Sequence, residues 1–277
     1  MGYSASVMCN CYKEGKTSEP PYKDFMKIDE EGMYLDLEAL YKQDKAEYNK
    51  RHDAFDEWKR TACPHEDMEL VYERLANISG MMAFKTVIRE FGGKIRFPVL
   101  TQYLPVGNVG ILPADFAGKA LLELQDLEQK ENGEDKVILK IKGTGEKKQA
   151  TNVNHPTLFI WTAYNKLNYG LDDDGFFIIE NEIHSEEERS TLVFRSKDFK
   201  QIFKSKDAYC FKDNQTNLQF IGTAKLYPAG KEEPTEDVDF QVVKKKIPLA
   251  IEYSYIIEPL KKLLAASLET GNHVMWR

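Results

Sequence analysis

The apolar residues change period along the chain, and that change constrains the fold more than any other feature. From about Leu40 to Ala62 the spacing is helical: Tyr41, Tyr48, Phe55 and Ala62 recur every seven residues, with Trp58 beside them and Lys, Asp and Glu on the other faces. Cys63-Pro64 stops this helix, because proline disfavours helical geometry in the residue before it. The spacing predicts a second helix over Asp67–Ala76, with Met68, Val71, Tyr72 and Leu75 inward. It also predicts a third helix, capped by Ser79, that carries Phe84, Val87, Ile88 and Phe91 and ends at Gly92-Gly93. Phe97 to Leu112, with two prolines and two glycines, reads as an ordered loop. Pro113 at a first helical position then opens a helix to about Lys130, and Asn132-Gly133 closes it.

Beyond Gly133 the pattern is strand and turn. Val137–Ile141 alternates, Leu158–Trp161 reads as a buried strand, and Asp172–Gly175 forms a tight turn before Phe176–Ile179. Leu192–Phe194, Ala208–Phe211, Leu218–Ile221 and Val238–Val243 supply further strands, with the charged Pro228–Asp239 segment as an exposed hairpin loop. Two short strands, Tyr3–Cys9 and Met33–Leu37, precede the helices. A last helix begins at Pro248 and runs to about Glu269, kinked at Pro259 and stopped by Gly271. The expected fold class is α+β: a helical N-terminal half and an antiparallel, strand-rich C-terminal half closed by a long C-terminal helix. The halves are either two domains, 1–132 and 133–277, or one mixed domain.

A chain of 277 residues can bury roughly 75% of its unfolded surface, so its core needs no covalent staples. The formal net charge of −7 provides no global field for nucleic acid or anionic lipid and would steer a basic protein partner toward it. Four cysteines are too few for a disulfide scaffold. No charged n-region leads into an apolar stretch, and no window approaches the ~18 apolar residues of a membrane span. These features point to the cytoplasm, where thiols stay reduced. The opening Met1-Gly2-Tyr3-Ser4-Ala5-Ser6 matches the N-myristoylation pattern, with Cys9 and Cys11 nearby as acylation sites. The plainer reading is that Gly2 opens the strand through Ala5 and Val7.

The best candidate for chemistry is Cys9-Asn10-Cys11 taken with Cys63-Pro64-His65. Zinc is held by thiolates and imidazole in a tetrahedron. Side chains at i and i+2 on an extended segment project to the same side, so Cys9 and Cys11 can converge. Cys63 and His65 flank a proline turn at a helix end, where two side chains can also converge. Four protein ligands would make a closed, structural zinc site. A catalytic variant would use Cys11, Cys63, His65 and water, with Glu66 or Glu69 as base. A reversible Cys9–Cys63 disulfide is a third use of the same residues. The bland alternative is buried thiols near a strand end, with His65 hydrogen-bonded at a helix start.

Other motifs fail on their spacing. Gly15-Lys16-Thr17 lacks the first glycine of a phosphate-binding loop, and Pro20-Pro21 forbids the helix that should follow. His65-Glu66 has Glu69 where H-E-x-x-H needs histidine. Asp172–Gly175 departs from the calcium-loop pattern, with Gly170 at its first position and Asn181 at its twelfth. No G-x-S-x-G elbow is present. Lys244-Lys245-Lys246 reads as a solvated rim, and His155 and His184 have no triad-like neighbours. The aromatics Phe159, Trp161, Tyr164, Tyr169, Phe176 and Phe177 read as strand core more readily than as a ligand groove.

The stretch Met-Gly-Tyr-Ser-Ala-Ser-Val, followed by Cys9-Asn10-Cys11-Tyr12 and Glu14-Gly15-Lys16-Thr17, resembles the start of a group of bacterial proteins with no assigned activity. The resemblance covers about the first 17 residues and implies a bacterial, cytosolic setting. With no complete catalytic signature, the leading expectation is a non-enzymatic binding protein, an immunity- or inhibitor-type partner of a basic protein, with a structural zinc site. The alternatives are a metal-dependent hydrolase using the Cys/His cluster and a small-ligand module built on the aromatic strands.

Overall fold

The computed structural model describes residues 2–29, 32–107, 109–129, 131–153, 155–162, 166–182, 189–205, 208–226 and 237–277. The chain divides into two units, Met1–Asn132 with Pro248–Arg277, and Gly133–Ile247. The first begins with strand β1 (Gly2–Met8), the hairpin β2 (Met26–Asp29) and β3 (Gly32–Leu35), a short helix α1 (Glu38–Gln43) and the long helix α2 (Lys45–Thr61). Asp44 caps α2 by accepting from the Ala46 and Glu47 N–H groups at 3.0 and 3.1 Å. Strand β4 (Glu69–Asn77) leads into α3 (Ile78–Glu90), whose cap is Asn77, accepting from Gly80 N–H at 2.7 Å. The short helices α4 (Gly93–Arg96) and α5 (Pro98–Tyr103), strand β5 (Ile111–Leu112) and helix α6 (Ala117–Leu127) complete this stretch.

The second unit is built from strands β6 (Gly133–Ile141), β7 (Lys147–Asn152), β8 (Thr157–Trp161), β9 (Leu167–Asp172), β10 (Gly175–Glu182), β11 (Arg189–Ser196), β12 (Asp198–Ser205), β13 (Ala208–Asp213), β14 (Gln219–Gly222) and β15 (Val238–Pro248). They form a six-stranded sheet ordered β14-β13-β12-β15-β6-β7 and a four-stranded sheet ordered β11-β10-β9-β8. Inward residues of both sheets share one aromatic core. Phe176 from the smaller sheet stacks on Phe199 from the larger at 4.7 Å, and Phe199 stacks on Phe240 at 5.3 Å.

The chain then returns to the first unit through α7 (Leu249–Glu252), α8 (Ser254–Thr270) and β16 (Val274–Trp276). Strand β16 inserts between β1 and β5, giving an antiparallel sheet ordered β4-β1-β16-β5. Tyr3, Ala5, Val7, Val274 and Trp276 face a core that they share with α3, α6 and α8. A separate cluster around Cys9, Cys11, Leu35, Leu37, Phe55, Trp58, Ala62 and Met68 packs α2 and the β2–β3 hairpin together.

This architecture corrects the expected fold class. Among the described residues, strands form four sheets spread along the chain, and the N-terminal half mixes helices with strands instead of being helical. The long C-terminal helix belongs to the first unit, where it shares a core with α3 and α6. Asp67–Ala76 is largely the strand β4, because β1 pairs with it from Gly2↔Asn77 to Met8↔Glu69. The loop expected over Phe97–Leu112 holds α5, which Pro98 opens, and β5. After Pro113 a 3-10 turn, Ala114–Phe116, precedes α6. Helix α8 runs through Pro259, and the break lies at Tyr253, between α7 and α8. Up to residue 236 the hairpin expected over Pro228–Asp239 lies outside the described residues, as do Tyr164 and His184; Val238 and Asp239 belong to β15. Among the described residues, no helix is long and apolar enough to cross a membrane.

Candidate metal centre

Two chain segments that fold for separate reasons meet at one point. Strand β1 ends at a register shift beside Met8, and Cys9 N–H then donates to Met68 C=O at 2.8 Å. The next residues curl into a turn: Lys16 N–H reaches Cys11 C=O at 2.8 Å, and Gly15 supplies the left-handed φ of +69°. Asn10, between the two cysteines, anchors the turn. Its amide donates to Thr270 C=O at 2.8 Å, and its Oδ1 accepts from the Asn272 amide at 3.0 Å. Asn272 also donates to Met8 C=O at 2.7 Å, so the loop after α8 grips both sides of Cys9.

The second segment leaves α2. Phe55, Trp58 and Ala62 bury one face of that helix, and Trp58 Nε1–H donates to the Ser18 carbonyl and hydroxyl at 3.1 Å. Past Cys63-Pro64 the backbone turns sharply: Asp67 and Met68 have φ of 51° and 60°, and Met68 is fully buried. Such left-handed backbone at a non-glycine residue is held in place by the surrounding packing.

The four expected ligands converge. One donor atom from each of Cys9, Cys11, Cys63 and His65 lies within 4.8 Å of all the others. Cys9 Sγ is 3.8 Å from Cys63 Sγ, and His65 Nδ1 is 3.4 Å from Cys11 Sγ and 3.7 Å from Cys63 Sγ. Zinc bonds of about 2.3 Å to sulfur and about 2.0–2.1 Å to nitrogen make a tetrahedron with S···S edges of about 3.8 Å and S···N edges of about 3.5 Å. Three of the six edges, at 3.8, 3.4 and 3.7 Å, lie close to those values, the other three are within 4.8 Å, and three thiols with one imidazole are a donor set zinc takes in structural sites. The cysteines are free, so no disulfide accounts for their approach. Cys210, the fourth, lies in the second unit and donates to Gln219 Oε1.

Burial pushes the Cys9 thiol up to about 12; a hydrogen bond from the Cys11 backbone N–H opposes this, and the neighbouring Cys11 and Cys63 side chains raise it further. A divalent cation held there would supply positive charge that offsets the rise at Cys9. The carboxylates considered as catalytic bases are placed otherwise: Glu69 pairs with Arg277 at 2.5 Å, and Glu66 is exposed.

A 340 Å³ cleft adjoins the centre, walled by Met8, Cys9, Tyr12, Ile28, Met33 and Met275. His273 also lines it; its Nδ1 accepts from Ala114 N–H at 3.0 Å, which places the ring proton on Nε2. Lys13 and Asp29 give the wall both signs of charge. The aromatics considered for a ligand groove are mostly core: Tyr169 and Phe176 are fully buried, while Trp161 is 58% exposed. Sequence reasoning singled out the four residues that converge and missed Asn10, Asn272 and His273, whose contacts are with partners distant in the chain. Comparisons of the chain with protein-family models, with curated proteins and with solved structures found no match.

Proposed function

We propose that this chain is a non-enzymatic binding protein whose first unit is stapled by a structural zinc ion on Cys9, Cys11, Cys63 and His65. The observation that carries the reading is the convergence of the four donor atoms within 4.8 Å, with one S···S and two S···N separations close to the edges of a zinc tetrahedron. Four protein donors fill the coordination shell, which supports a structural ion over a catalytic one. The ion would join the exit of β1 to the end of α2, two segments 54 residues apart. A hydrolase needs an open position and a carboxylate at hand, and the ion pair of Glu69 with Arg277 speaks against that role for Glu69. The net charge of −7 favours a basic protein as partner, and the N-terminal resemblance favours a bacterial cytosolic setting.

Elemental mass spectrometry on untagged protein tests the staple. Roughly one zinc per chain is expected, lost in Cys9→Ser and His65→Ala, with the melting temperature lowered by about 5 °C or more. Background zinc with all four thiols open to alkylation would contradict it. Hydrolysis of a phosphate ester or a peptide by the zinc-loaded protein, abolished in Cys11→Ser, would contradict the non-enzymatic part.

A further inference from the structure

The three thiols of the centre are not equivalent, and the difference bears on how it meets an oxidant. Cys9 and Cys11 are 6% and 8% exposed, whereas Cys63 is half-buried beside the exposed Pro64. By residue exposure Cys63 is the most accessible of the three, while Cys9 lines the wall of the adjoining cleft. The Cys63 sulfur lies 3.8 Å from that of Cys9. Cys11 Sγ lies 3.4 Å from His65 Nδ1, as Cys63 Sγ does at 3.7 Å, and within 4.8 Å of Cys63 Sγ; its turn is fixed by the hydrogen bonds of Asn10 to Thr270 and Asn272. Cys9 and Cys11 share that anchored turn, while Cys63 arrives on a different segment. A bond between Cys9 and Cys63 thus follows the approach already built into the fold.

We infer that the centre is a reaction site for hydroperoxides, with Cys63 the sulfur attacked, Cys9 the resolving thiolate and zinc the ion released. The inference rests on the zinc reading above. The Cys63 thiolate attacks the terminal oxygen of the peroxide; the O–O bond breaks, the alkoxide or hydroxide leaves and takes a proton from water, and Cys63 becomes a sulfenic acid. The Cys9 thiolate then attacks the Cys63 sulfur; the S–S bond forms, the S–O bond breaks and hydroxide leaves. Two sulfurs lose one electron each, and the two peroxide oxygens gain them. A zinc ion held there would keep only Cys11 and His65, two donors of the four that a structural site requires, and would dissociate. The cross-link itself survives: a covalent bond replaces the metal between the same two segments. The oxidised protein is accordingly expected to stay folded while losing its metal.

The test treats the full chain, with its zinc content measured beforehand, with equimolar hydrogen peroxide. Released zinc is followed with a colorimetric chelator, and the disulfides are mapped by alkylation and peptide mass spectrometry. The expected result is zinc release in step with peroxide consumed, a Cys9–Cys63 linked peptide, alkylated Cys11 and Cys210, and an unchanged far-ultraviolet circular dichroism spectrum. Cys210→Ser should behave identically, since that thiol lies in the other unit. Zinc present at the start but retained after oxidation would overturn this inference and leave the zinc reading standing. So would release accompanied by a Cys9–Cys11 or Cys11–Cys63 bond. Protein isolated without zinc would overturn both.

Discussion

Asp213 is 7% exposed, and four donors meet its carboxylate. Ser196 Oγ donates to one oxygen at 2.5 Å; Gln215 N–H, Thr216 N–H and Thr216 Oγ1 donate to the other at 2.8, 2.5 and 2.8 Å. Burial alone would raise its pKa, but these hydrogen bonds outweigh burial and hold the carboxyl at about 2. A folded value below the unfolded one, about 3.9, stabilises the fold above the unfolded value and loses that contribution as pH falls through about 2. The contribution is about 2 kcal/mol, so urea unfolding of the full chain should weaken by that amount between about pH 5 and pH 2. Asp213→Asn should be less stable at neutral pH and lose this part of the acid dependence; an unchanged acid dependence would show that Asp213 is not its source. Residues of this kind divide by legibility. Cys9, Cys11, Cys63 and His65 could be found because their types and spacing carry chemistry. Asn10 and Asn272 could not, because an asparagine reads as a turn residue and these two are 262 positions apart.

At the scale of elements, the strand-rich half was legible and β4 was not. Val71 and Leu75 are four apart, a spacing that shares a face in a helix and in a strand alike. Two register shifts where β1 meets β4, at Tyr3/Ser4 and at Val7/Met8, then break the period-two signal that would have decided for a strand. Helix α5 was hidden for the opposite reason: Pro98, counted as a breaker, stands at its first position, and the buried Glu123 caps it by accepting from Val99 and Leu100 N–H at 3.1 and 2.9 Å. In the second unit, Gly170 on β9 lies opposite Phe177 on β10, and the ring occupies the space where a Cβ would stand. Gly170→Ala should push that ring, 7% exposed, out of place and cost about 1–3 kcal/mol, read as a lower urea midpoint. A neutral effect would mean that the ring relocates freely and that the glycine is not needed for packing.

The whole molecule is where sequence reading fell furthest short. Nothing local in Val274–Trp276 says that three residues at the far end of the chain insert beside β1, with Ala5 opposite Trp276 and Val7 opposite Val274. Such pairing follows burial: Val274 and Trp276 join Tyr3, Ala5 and Val7 on the core face of that sheet. The same long-range closure brings the loop after α8 against Asn10 and so fixes the turn that carries Cys9 and Cys11. The proposed centre is thus the point where the exit of β1, the end of α2 and the loop after α8 are tied together. X-ray absorption at the zinc edge of the purified protein tests that account most directly. The expected first shell is three sulfurs at about 2.3 Å and one nitrogen at about 2.0–2.1 Å, with no further ligand. A shell dominated by oxygen and nitrogen, or one with an added water, would contradict it.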